Sequence, residues 1–422
     1  MTVATVARRL VLVAAVPVGA GAGIVTLLAT VAVTGQRALA TVAGTLALGL
    51  ATGVPAWWAA RGARRRTALA IAVTGLTFAL VAVVVGTLVH APAPPYTTYP
   101  VPPGVQYWDL ATGSRIAYTK TAAPATARAT PVILVHGGPG APDAPAPEPA
   151  ASLATAGFDV YAYHQLGAGL SGRLADASGY TVARHVEDLE AIRRTLGVER
   201  VVLIGASWGG QLIANYLATH PTRVEKAVVS SPGVIWAPAF TDTERLTEAG
   251  LRDQQQVTRG QPRFMLAHAL MHTIGPQAAR ALLPDATMDG VYQSVVAGLD
   301  MAPGCTTPNS STSDPAGHSP VGLGFWANAA TVHDSRRVPD PRPRLRNLTA
   351  PVLVLRGQCD YIAWPVTREY RDLLPGAVLL PIDGAGHRIS TDQPERYRQA
   401  ILAFLVDEPL PIQPHTAAEP PW

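Results

Sequence analysis

The chain has 422 residues, 48% of them hydrophobic and 15% charged, with 38 Gly, 38 Pro and two Cys. That composition excludes a disordered, a collagen-like and a disulfide-scaffold protein, and its mean hydropathy of +0.19 is unusual for a purely soluble one. The formal net charge of +4 is divided unevenly: residues 1–108 hold seven Arg and neither Asp nor Glu, carrying +7, while the remainder carries −3. The pI near 9.2 therefore reports arginines set around apolar segments and says nothing about nucleic acid.

Residues 10–33, 38–60 and 67–89 form apolar runs of 24, 23 and 23 residues without an internal charge. A helix rises 1.5 Å per residue, so about 20 residues span a hydrocarbon core of roughly 30 Å, and each run is long enough to cross. Helices are expected because lipid offers no partner to an unpaired backbone group, and the many Gly and Ala suit close helix packing. The alternative for the first run is a signal peptide cleaved near Ala38-Leu39-Ala40, but the run is longer than a signal's apolar core and two further spans follow. Arg61, Arg64, Arg65 and Arg66 lie between the second and third runs, and only Arg37 lies between the first two. The positive-inside bias then places the N-terminus and the 61–66 loop in the cytoplasm, and everything after about residue 90 outside it. The expected location is the cell membrane, multi-pass, with the bilayer as a partner.

Residues 91–103 contain six Pro and read as a stiff spacer, giving a linker at 91–104. Residues 105–119 alternate around Thr112-Gly113-Ser114, a hairpin pattern. Short β-rich runs follow at 131–135, 158–163, 201–204, 227–230, 352–355 and 377–381, with helical patterns between several of them. One helix is capped by Thr181 and repeats apolar residues at Val182, Val186, Leu189, Ile192 and Leu196. Strands alternating with helices imply a mainly parallel sheet with helices on both faces. The strand signal vanishes over 232–349, which reads as an inserted, mostly helical cap with an irregular stretch at 303–322. The core is then 105–231 and 350–408, and the Pro-rich residues 409–422 read as a frayed, disordered tail.

Gly205-Ala206-Ser207-Trp208-Gly209 lies between a strand and a helical stretch. A nucleophilic serine needs such a sharp turn to hold its hydroxyl above the sheet edge, and small residues two positions either side permit it. His136-Gly137-Gly138-Pro139-Gly140 also follows a strand; acyl transfer needs main-chain donors aimed at a developing oxyanion, and the donors named are the amides of Gly138 and Trp208. No His-x-x-x-His pairs with a downstream acid in a zinc-protease pattern and the two Cys are 54 positions apart, so neither metal nor cofactor is expected.

With these motifs the chain resembles the proline iminopeptidase group of α/β-hydrolases, which includes related tripeptidyl aminopeptidases, over about residues 105–408. The resemblance implies an α/β-hydrolase fold with an inserted cap behind the three-helix transmembrane domain at 1–90. It also implies a catalytic acid after a late strand and a histidine after the next, here Asp360 in Gly357-Gln358-Cys359-Asp360 and His387 in Asp383-Gly384-Ala385-Gly386-His387. The chain order Ser207, Asp360, His387 is the one this fold uses. Two departures stand out. The family's D-Q-R-G-x-G-x-S reads here His164-Gln165-Leu166-Gly167-Ala168-Gly169-Leu170-Ser171, which removes a charged pair. The cap segment 324–330 supplies no carboxylate for a substrate's free amine, leaving Asp242, Glu244 and Glu248 as the candidate substitutes.

The leading expectation is a membrane-anchored serine hydrolase acting through an acyl-enzyme, an aminopeptidase on short peptides. The alternative is an esterase or amidase on a small external metabolite, and a third reading is a catalytically silent, membrane-tethered binding protein. Cys305 and Cys359, both in the part assigned to an oxidising compartment, are a candidate disulfide; the alternative is two unrelated residues, Cys359 packed as a small apolar group at a strand end and Cys305 exposed in a loop.

Overall fold

The structure, a computed structural model, describes residues 3–61, 63–87, 98, 101, 103–143, 147–300, 305 and 322–422. Most of the 91–104 linker and of the 303–322 stretch lies outside the described residues. Two compact units divide the chain: residues 1–94 with 262–288, and 95–261 with 289–422. The helices of the 232–349 interval are therefore shared between them.

In the first unit, α1 (Val3–Thr34), α2 (Arg37–Ala59) and α3 (Arg66–Val85) are long and apolar enough to cross a membrane. Small residues let α1 and α2 approach closely. A Cβ on Gly19 would fall 1.7 Å from Thr52 Oγ1, and one on Gly44 would fall 2.8 Å from the Gly23 carbonyl oxygen. Arg8 Nη1 donates to the Arg61 carbonyl at 2.9 Å, so the arginines at the start of α1 and those of the 61–66 loop gather at one end of the bundle. Arg61 and Arg66 lie over the rings of Trp58 and Trp57 at the same end. Helices α9 (Pro262–Ile274) and α10 (Pro276–Leu282), joined through Gly275, belong to this unit.

The second unit is built on one eight-stranded sheet of β1 (Gln106–Asp109), β2 (Arg115–Thr121), β3 (Val132–Val135), β4 (Val160–Tyr163), β5 (Val201–Ala206), β6 (Val224–Ser230), β7 (Val352–Gly357) and β8 (Val378–Ile382). The strand order is β1-β2-β4-β3-β5-β6-β7-β8; β1 and β2 are antiparallel and β3 to β8 run parallel. The hairpin turns at Gly113, whose φ of 81° only glycine adopts without strain. Strands β3, β5 and β7 are apolar almost throughout because both faces are covered. Val132, Leu134, Val202, Ile204, Leu353 and Leu355 pack with α4 (Ala150–Thr155) and the C-terminal helix (Pro394–Leu405). The opposite face carries α5 (Val182–Thr195), whose first turn is capped by Thr181 as expected, and α6 (Trp208–Thr219). The chain steps from β3 to one side and returns to β5 on the other. That reversal opens a crevice at the carboxyl ends of β3 and β5, where ligands bind in open α/β sheets.

Helices α7 (Asp242–Arg245), α8 (Glu248–Arg259), α11 (Asp285–Gly298), α12 (Phe325–Ser335) and α13 (Arg342–Leu345) fill the strand-free interval alongside α9 and α10. Residues 409–422 differ from the expected disordered tail. Leu410 and Ile412 pack on the core, the His415 amide donates to Leu379 O of edge strand β8 at 2.8 Å, and Arg371 donates to Ala417 O at 2.6 Å. The prolines pre-set an extended backbone whose carbonyls remain free to accept, so a Pro-rich segment covers an open sheet edge without forming a helix.

Candidate active site

Ser207 sits between β5 and α6 with φ 53° and ψ −120°, a backbone state costing a non-glycine residue on the order of 1–3 kcal/mol. The flanking glycines make the turn sterically feasible. A Cβ on Gly209 would lie 2.1 Å from the Val135 carbonyl oxygen, and one on Gly205 would lie 2.7 Å from the Gly209 carbonyl carbon. The first turn of α6 thus rests directly on the end of β3, where the His136–Gly140 loop begins. A Cβ on Gly137 would come within 3.2 Å of Ser207 Cβ, so that loop passes beside the serine.

Two main-chain donors face this corner. The amides of Gly138 and Trp208 donate to no acceptor among the described residues, and Trp208 opens α6, where helix N–H groups are unpaired and the dipole favours negative charge. Gly138 has φ 112°, and its loop is braced by α12: Asn328 Nδ2 donates to Pro139 O at 2.8 Å and the Gly324 amide to Gly140 O at 2.8 Å. The cap segment that lacks a carboxylate therefore supports the His136–Gly140 loop instead. Beneath it, the Gln165 amide donates to His136 Nε2 at 2.8 Å, Gln165 Nε2 to His136 O at 2.7 Å, and Trp208 Nε1 to Gln165 Oε1 at 2.8 Å. His136 Nδ1 donates to Gly137 O, which fixes the neutral tautomer. In the loop that departs from the family pattern, His164 Nδ1 accepts from the Leu170 amide at 3.0 Å and closes the turn without a charge.

Asp360 and His387 come together from the loops after β7 and β8, with His387 Nδ1 2.8 Å from Asp360 Oδ1. The loops are stitched by the Cys359 amide on Ala385 O and the Gly384 amide on Gln358 Oε1. A Cβ on Gly357 would lie 2.1 Å from Gly386 O. Burial alone would raise the Asp360 pKa, but His387, Arg356 at 3.5 Å and the Ile362 amide outweigh it and hold the carboxyl below its ordinary value. Asp383, four residues before His387, is exposed and accepts from Trp422 Nε1. The Tyr361 ring lies 4.3 Å from the His387 ring.

Cys305 and Cys359 are disulfide-bonded, with Cα atoms 5.4 Å apart, tying residue 305 to the position before Asp360. The three acids named for an amine are largely committed elsewhere. Asp242 pairs with Arg336 at 2.8 Å and Arg245 at 3.1 Å, while Glu244 accepts from the Thr241 amide and hydroxyl in the capping box of α7. Glu248 is exposed in the first turn of α8. A carboxylate serving as cap or arginine partner has little capacity left for a ligand, a use that helical spacing alone does not reveal. Arg356, Asn328, Gln165 and Tyr361 were missed because no motif spacing distinguishes them. Among the described residues no three His, Cys, Asp or Glu side chains form a metal-binding group.

Burial depresses the pKa of His136 to about 4 and those of His164 and His185 to about 3, with the neighbouring His136 adding to the shift of the latter two. An unfolded histidine takes up its proton near pH 6.5, so the stability owed to these neutral rings is fully present above that pH and is lost as pH falls towards 4. At pH 5 each should cost about 2 kcal/mol. Unfolding of the detergent-solubilised chain at pH 5 should take up about three more protons than at pH 8, and pH-independent stability between 7 and 5 would contradict the assignment.

The family model described as alpha/beta hydrolase fold matches residues 130–394. A proline iminopeptidase of Heyndrickxia coagulans is 27% identical over 306 residues, covering 70% of this chain and 96% of its own. A proline iminopeptidase of Lactobacillus delbrueckii subsp. lactis is 25% identical over 310 residues, with the same coverage. In fold, the chain resembles a thermophilic esterase from Thermogutta terrifontis, with a TM-score of 0.50 and 20% identity over 72% of this chain and 98% of that one. Eight-stranded sheet, glycine-flanked Ser207 turn and full-length relatives lead to one conclusion: the chain belongs to the alpha/beta hydrolase fold family and is a hydrolase related at low identity to proline iminopeptidases.

Proposed function

We propose that the protein is a membrane-anchored serine hydrolase that works through an acyl-enzyme, with Ser207 as nucleophile, His387 as general base and Asp360 as its orienting acid. The observation that carries the reading is the buried His387–Asp360 pair, at 2.8 Å, in a chain that also holds Ser207 in a strained strand-to-helix turn. With Asp360 accepting at Nδ1, the His387 Nε2 lone pair is available for the Ser207 proton. Oγ then bonds to the substrate carbonyl carbon, and the carbonyl electrons move to an oxygen met by the Gly138 and Trp208 amides. His387 returns the proton to the leaving amine or alkoxide, and water releases the acyl group by the same steps. The 27% identical proline iminopeptidase favours an aminopeptidase on short peptides.

A second reading, an esterase or amidase on a small external metabolite, is favoured by the engagement of the candidate amine ligands. Asp242 is taken by two arginines and Glu244 by the capping box of α7, so a free amine gains little from them. A panel of aminoacyl anilides and acyl esters separates the two: faster turnover of anilides with a free amine supports the first, and turnover of uncharged esters alone supports the second.

Ser207→Ala should abolish both turnover and fluorophosphonate labelling, with kcat falling on the order of 10⁴-fold or more, and His387→Ala should fall nearly as far. Asp360→Asn should retain a higher residual rate. A folded Ser207→Ala variant that still turns over would refute the assignment.

Membrane anchoring rests on the three apolar helices, the arginines gathered at one end of their bundle, and Trp57 and Trp58 at that end, where interfacial aromatics sit. The positive-inside bias assigns that end to the cytoplasm and the hydrolase to the outer side. A reporter enzyme active only in the cytoplasm should work when fused after residue 66 and fail when fused after residue 104; the reverse pattern would overturn the topology.

A further inference from the structure

Strand β7 reads Val352-Leu353-Val354-Leu355-Arg356-Gly357 and is buried along its whole length, Arg356 included at 5% exposure. An arginine is rarely buried unless its charge is paired and its donors are used. Alternation along the strand puts Leu353 and Leu355 in the core with α4 and turns Arg356 to the other face, where the helix Trp364–Leu373 packs. There Arg356 Nη1 donates to the hydroxyl of fully buried Thr367 at 2.9 Å and lies 3.5 Å from Asp360 Oδ2. The other carboxylate oxygen, Oδ1, is 2.8 Å from His387 Nδ1 and accepts from the Ile362 amide at 3.0 Å. A buried polar chain thus runs through Thr367, Arg356, Asp360 and His387, and each oxygen of the carboxylate has its own partner.

We propose that Arg356 is a positioning residue for the hydrolytic reaction: it anchors Oδ2 of Asp360 so that Oδ1 stays turned to His387 Nδ1, and it supplies the countercharge to Asp360 while the imidazole is neutral. This rests on the serine-hydrolase reading above. A general base takes up a proton only in its neutral form, so before the reaction His387 brings Asp360 no positive charge. Arg356 is then the cation paired with a carboxylate shut off from solvent. Burial disfavours both charges, and each offsets that for the other. An anion is needed at this place. As Ser207 Oγ bonds to the carbonyl carbon its proton passes to Nε2, and the carboxylate stabilises the resulting imidazolium through Nδ1–H. A protonated or rotated Asp360 would lose that bond. Arg356 keeps its own protons throughout, and Thr367 fixes the guanidinium from behind.

The test is a double-mutant cycle in kcat on the full-length chain in detergent micelles, with the most active substrate of the anilide and ester panel, at a temperature where circular dichroism shows the variants folded. Arg356→Met removes the charge and leaves an unbranched apolar side chain in its space. The expected result is a loss of about 10- to 100-fold in kcat with KM little changed, the effect of one interaction with a charged group. In the Asp360→Asn background, which has no carboxylate to anchor, the same substitution should cost less than about threefold. Arg356→Lys keeps a charge and should recover most of the loss. Thr367→Val, a near-isosteric change that serves if Arg356→Met does not fold, should cost about threefold in kcat, again only when Asp360 is present. Wild-type kcat in folded Arg356→Met, or in Thr367→Val where Arg356→Met does not fold, would overturn the proposal. Equal losses in the two backgrounds, or losses confined to KM or Tm, would mark a merely structural arginine and overturn it as well. Those outcomes leave Ser207 labelling of the wild type intact, whereas labelling that survives Ser207→Ala would remove the hydrolase reading and this proposal with it.

Discussion

The close approach of α6 to the end of β3 is the contact on which the rest of the site depends. Gly209 has space for no side chain against the Val135 carbonyl, and Gly205 has none against Gly209. The turn between them can therefore be tight enough to hold Ser207 with a positive φ, raised above the carboxyl edge of the sheet. The same contact brings the Trp208 amide, at the start of α6, beside the loop that continues from β3. The placement of Ser207 and that of the Trp208 amide thus share one steric origin.

Around that corner the protein relies on neutral hydrogen-bonded groups more than on charges. His136, Gln165 and the Trp208 indole close a buried network in which each polar atom used has a partner, and His164 completes its turn as an uncharged acceptor. A satisfied buried network rigidifies a loop without the desolvation cost of an ion pair. Charge is concentrated instead at Asp360, where Arg356 and His387 compensate a fully buried carboxylate. The disulfide beside it adds covalent restraint: closing a loop of this length is worth roughly 2–4 kcal/mol.

The cap contributes in a way its composition does not suggest. Its acids neutralise arginines and cap helices, while the uncharged start of α12 holds the His136–Gly140 loop through Asn328 and Gly324.

The sequence by itself determined the parts governed by local rules. Three uninterrupted apolar runs specify three long helices, period-two runs bounded by Gly and Pro specify strands, and glycines spaced around Ser207 specify the tight turn between β5 and α6. Only the tertiary structure decided which polar side chains remain available. Asp242 and Glu244 look equivalent to substrate ligands until Arg336, Arg245 and Thr241 occupy them, and Tyr361 looks like any strand-end aromatic until β8 delivers His387 to its ring. The Pro-rich end likewise reads as frayed until the edge of β8 offers Leu379 a donor in His415. In each case the deciding partner is far away in sequence, and periodicity and motif spacing carry no information about contacts that exist only after the chain has folded.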